Sequence, residues 1–184
     1  MRLYLVRHPK PLVAADTCYG CTDLTVSAEE RARVLSSLRS TLPEQKPIFC
    51  SPLQRCVVLA DSLVDALRSE PVIHDARLVE MNFGSWEMRA WDDIPRTEVD
   101  AWADDLVQYR PGGGENVLQM AQRVRAFHDD LMQSRRDCAI VVCHAGTIRL
   151  LLACQHTLAP AEMALCAARM PHTIAYGELM VLDC

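Results

Sequence analysis

Leu3-Tyr4-Leu5-Val6-Arg7-His8 stands near the start of the chain, and Ala139-Ile140-Val141-Val142-Cys143-His144-Ala145-Gly146 stands far along it. Each begins as a short apolar run of the length of a buried strand. Each run leads into a histidine. Open α/β sheets place their chemistry beyond the carboxyl ends of parallel strands, so two histidines at two such ends mark one place in a fold.

The sequence between and around them supports a sheet of that kind. Ser27 with Glu30 reads as a capping box, followed by Leu35, Leu38 and Leu42 at helical spacing. Ile48-Phe49-Cys50 is a short strand, and Ser51 reads as the cap of a helix with Pro52 at its first position. Pro71-Val72-Ile73-His74 reads as another strand. Residues 75–114 are irregular, hold Trp86, Trp91 and Trp102, and predict one or two short helices covering one side of the site. Asn116 caps a helix that points Val117, Met120, Val124, Phe127 and Leu131 inward, and one more helix follows Gly146. The tail from Thr173 to Leu182 alternates around Gly177 and reads as a terminal hairpin. Strands alternating with helices predict an α/β fold, a three-layer α/β/α sandwich around a mainly parallel sheet. With no repeat and no linker, residues 1–184 read as a single domain.

Composition narrows the function. The net charge is -5 over 184 residues, which disfavours general binding to nucleic acid or to anionic membranes. No apolar run approaches a membrane span. Arg7 interrupts the N-terminal run too early for a signal peptide, which predicts a cytoplasmic protein. The nine cysteines sit mostly in apolar runs and read as small hydrophobes. Oligomeric state stays open, a homodimer included.

The polar residues at the strand ends suit phosphate. A histidine that attacks phosphorus must be neutral, and cationic neighbours keep it so. The transferred group carries negative charge on three oxygens and needs several positioned donors. Arg7 offers a planar fork. Arg55, in Ser51-Pro52-Leu53-Gln54-Arg55, lies in the first turn of a helix that follows a strand, and His144 is a third donor. Glu80, in the stretch Leu78 to Glu87, is the acid within reach of this pattern.

Taken together and in order, Leu5-Val6-Arg7-His8, Ser51 to Arg55, Leu78 to Glu87 and His144-Ala145-Gly146 resemble the histidine phosphatase superfamily, the phosphoglycerate mutase-like family. The resemblance implies a phosphoglycerate mutase-like fold and a phosphomonoesterase that needs no cofactor and no metal. It implies that His8 is phosphorylated, that Arg7, Arg55 and His144 bind the phosphate, and that Glu80 protonates the leaving group. Tyr19, Gly20 and Cys21, in the loop before the first helix, and Ala145 are implied substrate contacts. Chain length and that loop are most similar to the α-ribazole phosphatase branch, whose substrate is a small phosphate monoester, the 5′-phosphate of a cobalamin lower-ligand nucleoside. A broad sugar-phosphate or nucleotide phosphatase is the alternative. A mutase, or a non-catalytic phospho-ligand binder, fits less well. Three positions depart from the family: Pro9 and Met88 replace usual glycines, and Ala14 replaces a frequent asparagine.

Glu87 is a second candidate acid. Arg149 reads as a surface charge before a substrate ligand, and His74, His128, His156 and His172 as structural or exposed. Cys18-x-x-Cys21 has no second pair to complete a metal site, and a loop contact to substrate fits it better. Gly112-Gly113-Gly114 lacks the lysine of a phosphate loop and reads as a flexible turn at the rim of the site.

Overall fold

Leu3 and Leu5 face one way from the first strand and Val6 the other, so a single strand feeds two cores. The computed structural model describes every residue except Thr157 and His172, so the reading of His172 falls outside the described residues. Strand β1 (Arg2–Arg7) lies inside the sheet. β2 is Ile48–Cys50, β3 Ile73–His74, β4 Cys138–Cys143 and β5 Leu179–Asp183. Their order is β3-β2-β4-β1-β5, parallel throughout except β5, which runs antiparallel to β1 at the edge.

Helices α1 (Ala28–Arg39) and α2 (Gln54–Leu67) cover one face, burying Val34, Leu38, Leu59 and Leu63 against Val6, Ile140 and Val142. Helices α4 (Val117–Gln133), α5 (Ala145–Ala153) and α6 (Pro160–Arg169) cover the other, burying Phe127, Ile148 and Met163 against Leu3, Leu5 and Val141. The predicted three-layer α/β/α sandwich is therefore present. After β1 the chain crosses toward β2. After β4 it crosses toward β5, on the opposite side. Each connection passes over the other's strand, one on each face of the sheet, so the chain leaves the adjacent carboxyl ends of β1 and β4 on opposite faces, and a crevice opens there, where α/β proteins bind ligands. Among the described residues no helix is long and apolar enough to cross a membrane.

Several sequence readings are corrected. Helix α2 starts later than its motif suggests. Leu53 is its cap residue, and Asp23 from the preceding loop accepts the Gln54 N–H at 2.7 Å. Ser51 is thereby released to meet His144. The strand read over 71–74 keeps only two residues. Helix α6 had no separate signal. The tail is not a hairpin, because Leu179–Asp183 pairs with β1 instead. Residues 75–114 hold short 3₁₀ turns and one helix, α3 (Arg96–Asp104). Gly112 and Gly114 of the triple glycine are packed contacts, while Gly113 faces open space. A Cβ on Gly84 would lie 2.2 Å from the Gly112 carbonyl oxygen, and both residues have positive φ, so the two backbones touch only because both are glycine.

Candidate active site

Register builds the site. Arg7 pairs with Cys143 across β1 and β4, so His8 and His144 leave the sheet side by side. The His8 backbone N–H donates to the Cys143 carbonyl at 3.0 Å, and the two rings meet edge-on with centroids 5.0 Å apart. His8 Nδ1 lies 2.7 Å from the Pro9 carbonyl, which can only accept. Nδ1 therefore carries the hydrogen and Nε2 the lone pair. Burial, then the charges of Arg55 and Arg7, pushes the His8 pKa well below the ordinary histidine value, despite the Pro9 contact. His8 is a neutral base with its lone pair toward the arginines.

Arg55 is fully buried in the first turn of α2. Nη1 donates to the Thr22 carbonyl at 2.7 Å, Nη2 donates to the Gly20 carbonyl, and Nε donates to His8 Nε2 at 3.3 Å. Arg7 donates from Nη1 to the Ile174 carbonyl, and its guanidinium lies 3.9 Å from the centre of the Tyr176 ring. His144 stands behind His8 and does not reach the cavity wall. Its Nε2 is 2.8 Å from the Ser51 hydroxyl, and Cys56 Sγ is 3.6 Å from the same nitrogen. Burial, then His8 and nearby arginines, keeps it neutral too. The sequence reading makes His144 a phosphate donor; here its ring meets that of His8 edge-on, and it is not among the residues that line the cavity.

The two candidate acids separate cleanly. Glu80 lines the cavity, accepting from the Met81 N–H at 3.0 Å and from the Gly146 N–H at 2.9 Å. Glu87 faces away. It accepts from the N–H groups of Gly20, Cys21, Thr22 and Phe83 and from the Thr22 hydroxyl. Burial opposes its charge, but those hydrogen bonds prevail and hold its pKa below the usual carboxylate range. Glu87 is the anchor of the 18–24 loop. The same bonds turn the Gly20 and Cys21 backbones toward Glu87 and away from the cavity, so neither is a wall residue as the loop had suggested. Tyr19 and Ala145 do line it. Cys18 is buried against Trp86 and Ile94.

The cavity is about 540 Å³. Its lining falls into two groups. Arg7, His8, Arg55, Glu80 and Arg149 bring charge and hydrogen bonding. Met81, Phe83, Trp91, Val99, Trp102 and Leu106 form an apolar wall. Within that wall the Trp91 and Trp102 rings stack at an interplanar angle of 6°, and Phe83 meets both edge-on. Arg149 is one turn beyond Gly146 on α5, which brings it to the cavity and not to the surface. Tyr176 was missed. It sits in a turn just before an edge strand, where no periodic pattern marks it. Met88 has φ +66°, the conformation that explains a glycine at that position in the family.

Comparison with known proteins agrees with this geometry. The sequence model of the histidine phosphatase superfamily (branch 1) matches residues 3–174. The adenosylcobalamin/alpha-ribazole phosphatase of Escherichia coli (strain K12) is 33% identical over 160 residues, covering 83% of this chain and 78% of that protein. The protein of the same name from Salmonella typhimurium is 30% identical over 171 residues, covering 89% and 83%. The crystal structure of the alpha-ribazole phosphatase from Shigella flexneri superposes with a TM-score of 0.81 at 27% identity, covering 100% of this chain and 90% of that one.

Proposed function

The chain belongs to the histidine phosphatase superfamily, and from that premise we propose that it hydrolyses α-ribazole 5′-phosphate through a phosphohistidine intermediate. One observation carries the choice of substrate: a cavity whose charged group surrounds His8 and whose remaining wall is apolar and aromatic. A nucleoside phosphate with a flat, apolar base fills both parts. A small sugar phosphate leaves the aromatic wall unused. The names of the relatives point the same way.

In this reading His8 Nε2 attacks phosphorus in line, and the P–O bond to the leaving group breaks. Arg55 Nε, which donates to His8 Nε2 at 3.3 Å, turns its hydrogen to a phosphate oxygen as Arg7 binds another. Two guanidinium forks supply the charge stabilisation that a metal supplies elsewhere. Glu80 gives its proton to the departing oxygen and takes one back from the water that cleaves the phosphohistidine. His144 and the Pro9 carbonyl keep His8 oriented and in the right tautomer.

Arg149 on the cavity wall favours a second reading, a phosphomonoester with another anionic group. One experiment separates the two. Steady-state hydrolysis is measured for α-ribazole 5′-phosphate, O-phosphoserine, sugar phosphates and nucleotides, with a chelator present and His8→Ala as control. A lead for the nucleoside phosphate of orders of magnitude in kcat/KM, abolished by His8→Ala, supports the assignment. A lead for O-phosphoserine transfers it to the second reading. Flat, low, His8-dependent activity leaves a broad phosphatase.

A further inference from the structure

Two guanidinium groups lie beside a neutral imidazole at the carboxyl end of β1. Among the described residues, no carboxylate lies within ion-pair distance of Arg7 or Arg55. A carboxylate there would relieve their repulsion but would compete with the phosphate for the same forks. What faces them instead is a pair of tyrosines. The Tyr176 ring lies 3.9 Å below the Arg7 guanidinium, and the Tyr19 ring centre is 5.5 Å from that of Arg55. The two hydroxyls meet at 2.6 Å, and both rings line the cavity. The order in space is Arg7, Tyr176, Tyr19, Arg55.

The turn that carries Tyr176 is tied to the nucleophile's strand. The Arg7 N–H donates to the Glu178 carbonyl at 3.0 Å, and the Gly177 N–H donates back to the Arg7 carbonyl at 3.1 Å. Gly177 has φ +75°, and a Cβ there would lie 2.6 Å from a Val34 methyl group, so this turn accepts only glycine. The Tyr176 ring centre is 5.6 Å from that of His8.

We propose that Tyr176, backed by Tyr19, is a positioning residue: its ring face holds the Arg7 fork beside His8. The Ile174 carbonyl takes a hydrogen from Arg7 Nη1, but an aromatic face attracts a cation without occupying further N–H donors, so the rest of the fork stays oriented, and Arg7 Nε has no hydrogen-bond partner among the described residues. This rests on the reading of Arg7 and Arg55 as phosphate ligands.

Inorganic phosphate inhibition of p-nitrophenyl phosphate hydrolysis tests it, in wild type, Tyr176→Phe and Tyr176→Leu, with circular dichroism to check folding. Tyr176→Leu should raise the phosphate inhibition constant and KM together by about 3- to 30-fold, with a smaller change in kcat. Tyr176→Phe, which keeps the face and loses the hydroxyl, should recover most of that loss. Wild-type phosphate affinity in Tyr176→Leu overturns the proposal, as does a Tyr176→Phe as impaired as Tyr176→Leu. If Tyr176→Leu does not fold, Tyr176→Met gives the same comparison. His8→Ala is assayed alongside. Full activity in that variant sinks the phosphohistidine reading itself. An inactive His8→Ala beside wild-type phosphate binding in Tyr176→Leu sinks only the role of Tyr176.

Discussion

Glu80 and Glu87 are seven residues apart in one motif and have opposite surroundings. Glu80→Gln should therefore lower kcat for α-ribazole 5′-phosphate by about 10²–10⁴-fold with the fold intact. The loss should shrink for p-nitrophenyl phosphate, whose phenolate departs without a proton. Glu87→Ala leaves four backbone N–H groups without their acceptor. It should destabilise the protein by more than about 2 kcal/mol in urea unfolding. Equal kcat losses for both substrates in Glu80→Gln would remove the acid role. Met88 belongs at this scale too. Its backbone occupies the left-handed region, which costs a side chain roughly 1–2 kcal/mol, partly offset by the extra unfolded-state entropy of glycine. Met88→Gly should raise stability by about 0.5–1 kcal/mol and leave kcat unchanged, readable as a small upward shift in Tm. At this scale the sequence told much. His8, Arg7, Arg55 and Glu80 are adjacent to motif boundaries, and all four line one cavity. It did not tell that Ser51 serves His144 or that Glu87 ties a loop, because both depend on which backbone groups a distant segment leaves open.

Elements explain the residues that were missed. Helix α4 does more than cover the sheet. Its Arg123 pairs with Glu115 at 2.7 Å, and Nη1 donates to the carbonyls of Arg77 and Val79 at 2.7 and 2.6 Å. Those carbonyls lead directly into Glu80, so one guanidinium ties the acid's segment to a rigid helix. Arg123→Lys cannot span both partners with a planar fork. It should lower kcat by about 10-fold while KM changes less, measured at saturating substrate. An unchanged kcat would mean that the segment is held without the clamp. The strands and helices with clean periodicity, β1, β4 and α4, were legible. The apolar wall was not, because Phe83, Trp91 and Trp102 come from irregular turns whose convergence no period encodes. The tail failed for a related reason. Its alternation is real, but its partner is β1, whose hydrogen-bonding edge outcompetes a self-paired hairpin.

At the scale of the whole molecule, buried neutral histidines couple folding to pH. His8 and His144 have pKa values well below the ordinary 6.5, through burial above all, and His128 is shifted the same way. Unfolded, each takes up a proton as pH falls through that value; folded, they do so only at lower pH. Stability is thus full above about pH 6.5 and declines as pH drops below it, by up to about 1.4 kcal/mol per pH unit for each histidine. Urea unfolding between pH 7.5 and 5 should show this slope, and His144→Gln should flatten it. Carboxylates with depressed pKa values, such as Glu87 and Asp75, act at lower pH. An equal slope in the variant would contradict a neutral buried His144. The sheet order sets everything else in place, since the parallel pairing of β1 with β4 brings His8 to its neighbours. The proposed chemistry stands on His8 carrying the phosphoryl group. The most direct measurement is an alkaline denaturing quench during turnover of ³²P-labelled substrate, followed by mapping of the labelled peptide. Label on His8 alone, absent from His8→Ala, is the predicted result. Turnover with no label on His8, or with label on another side chain, would contradict it.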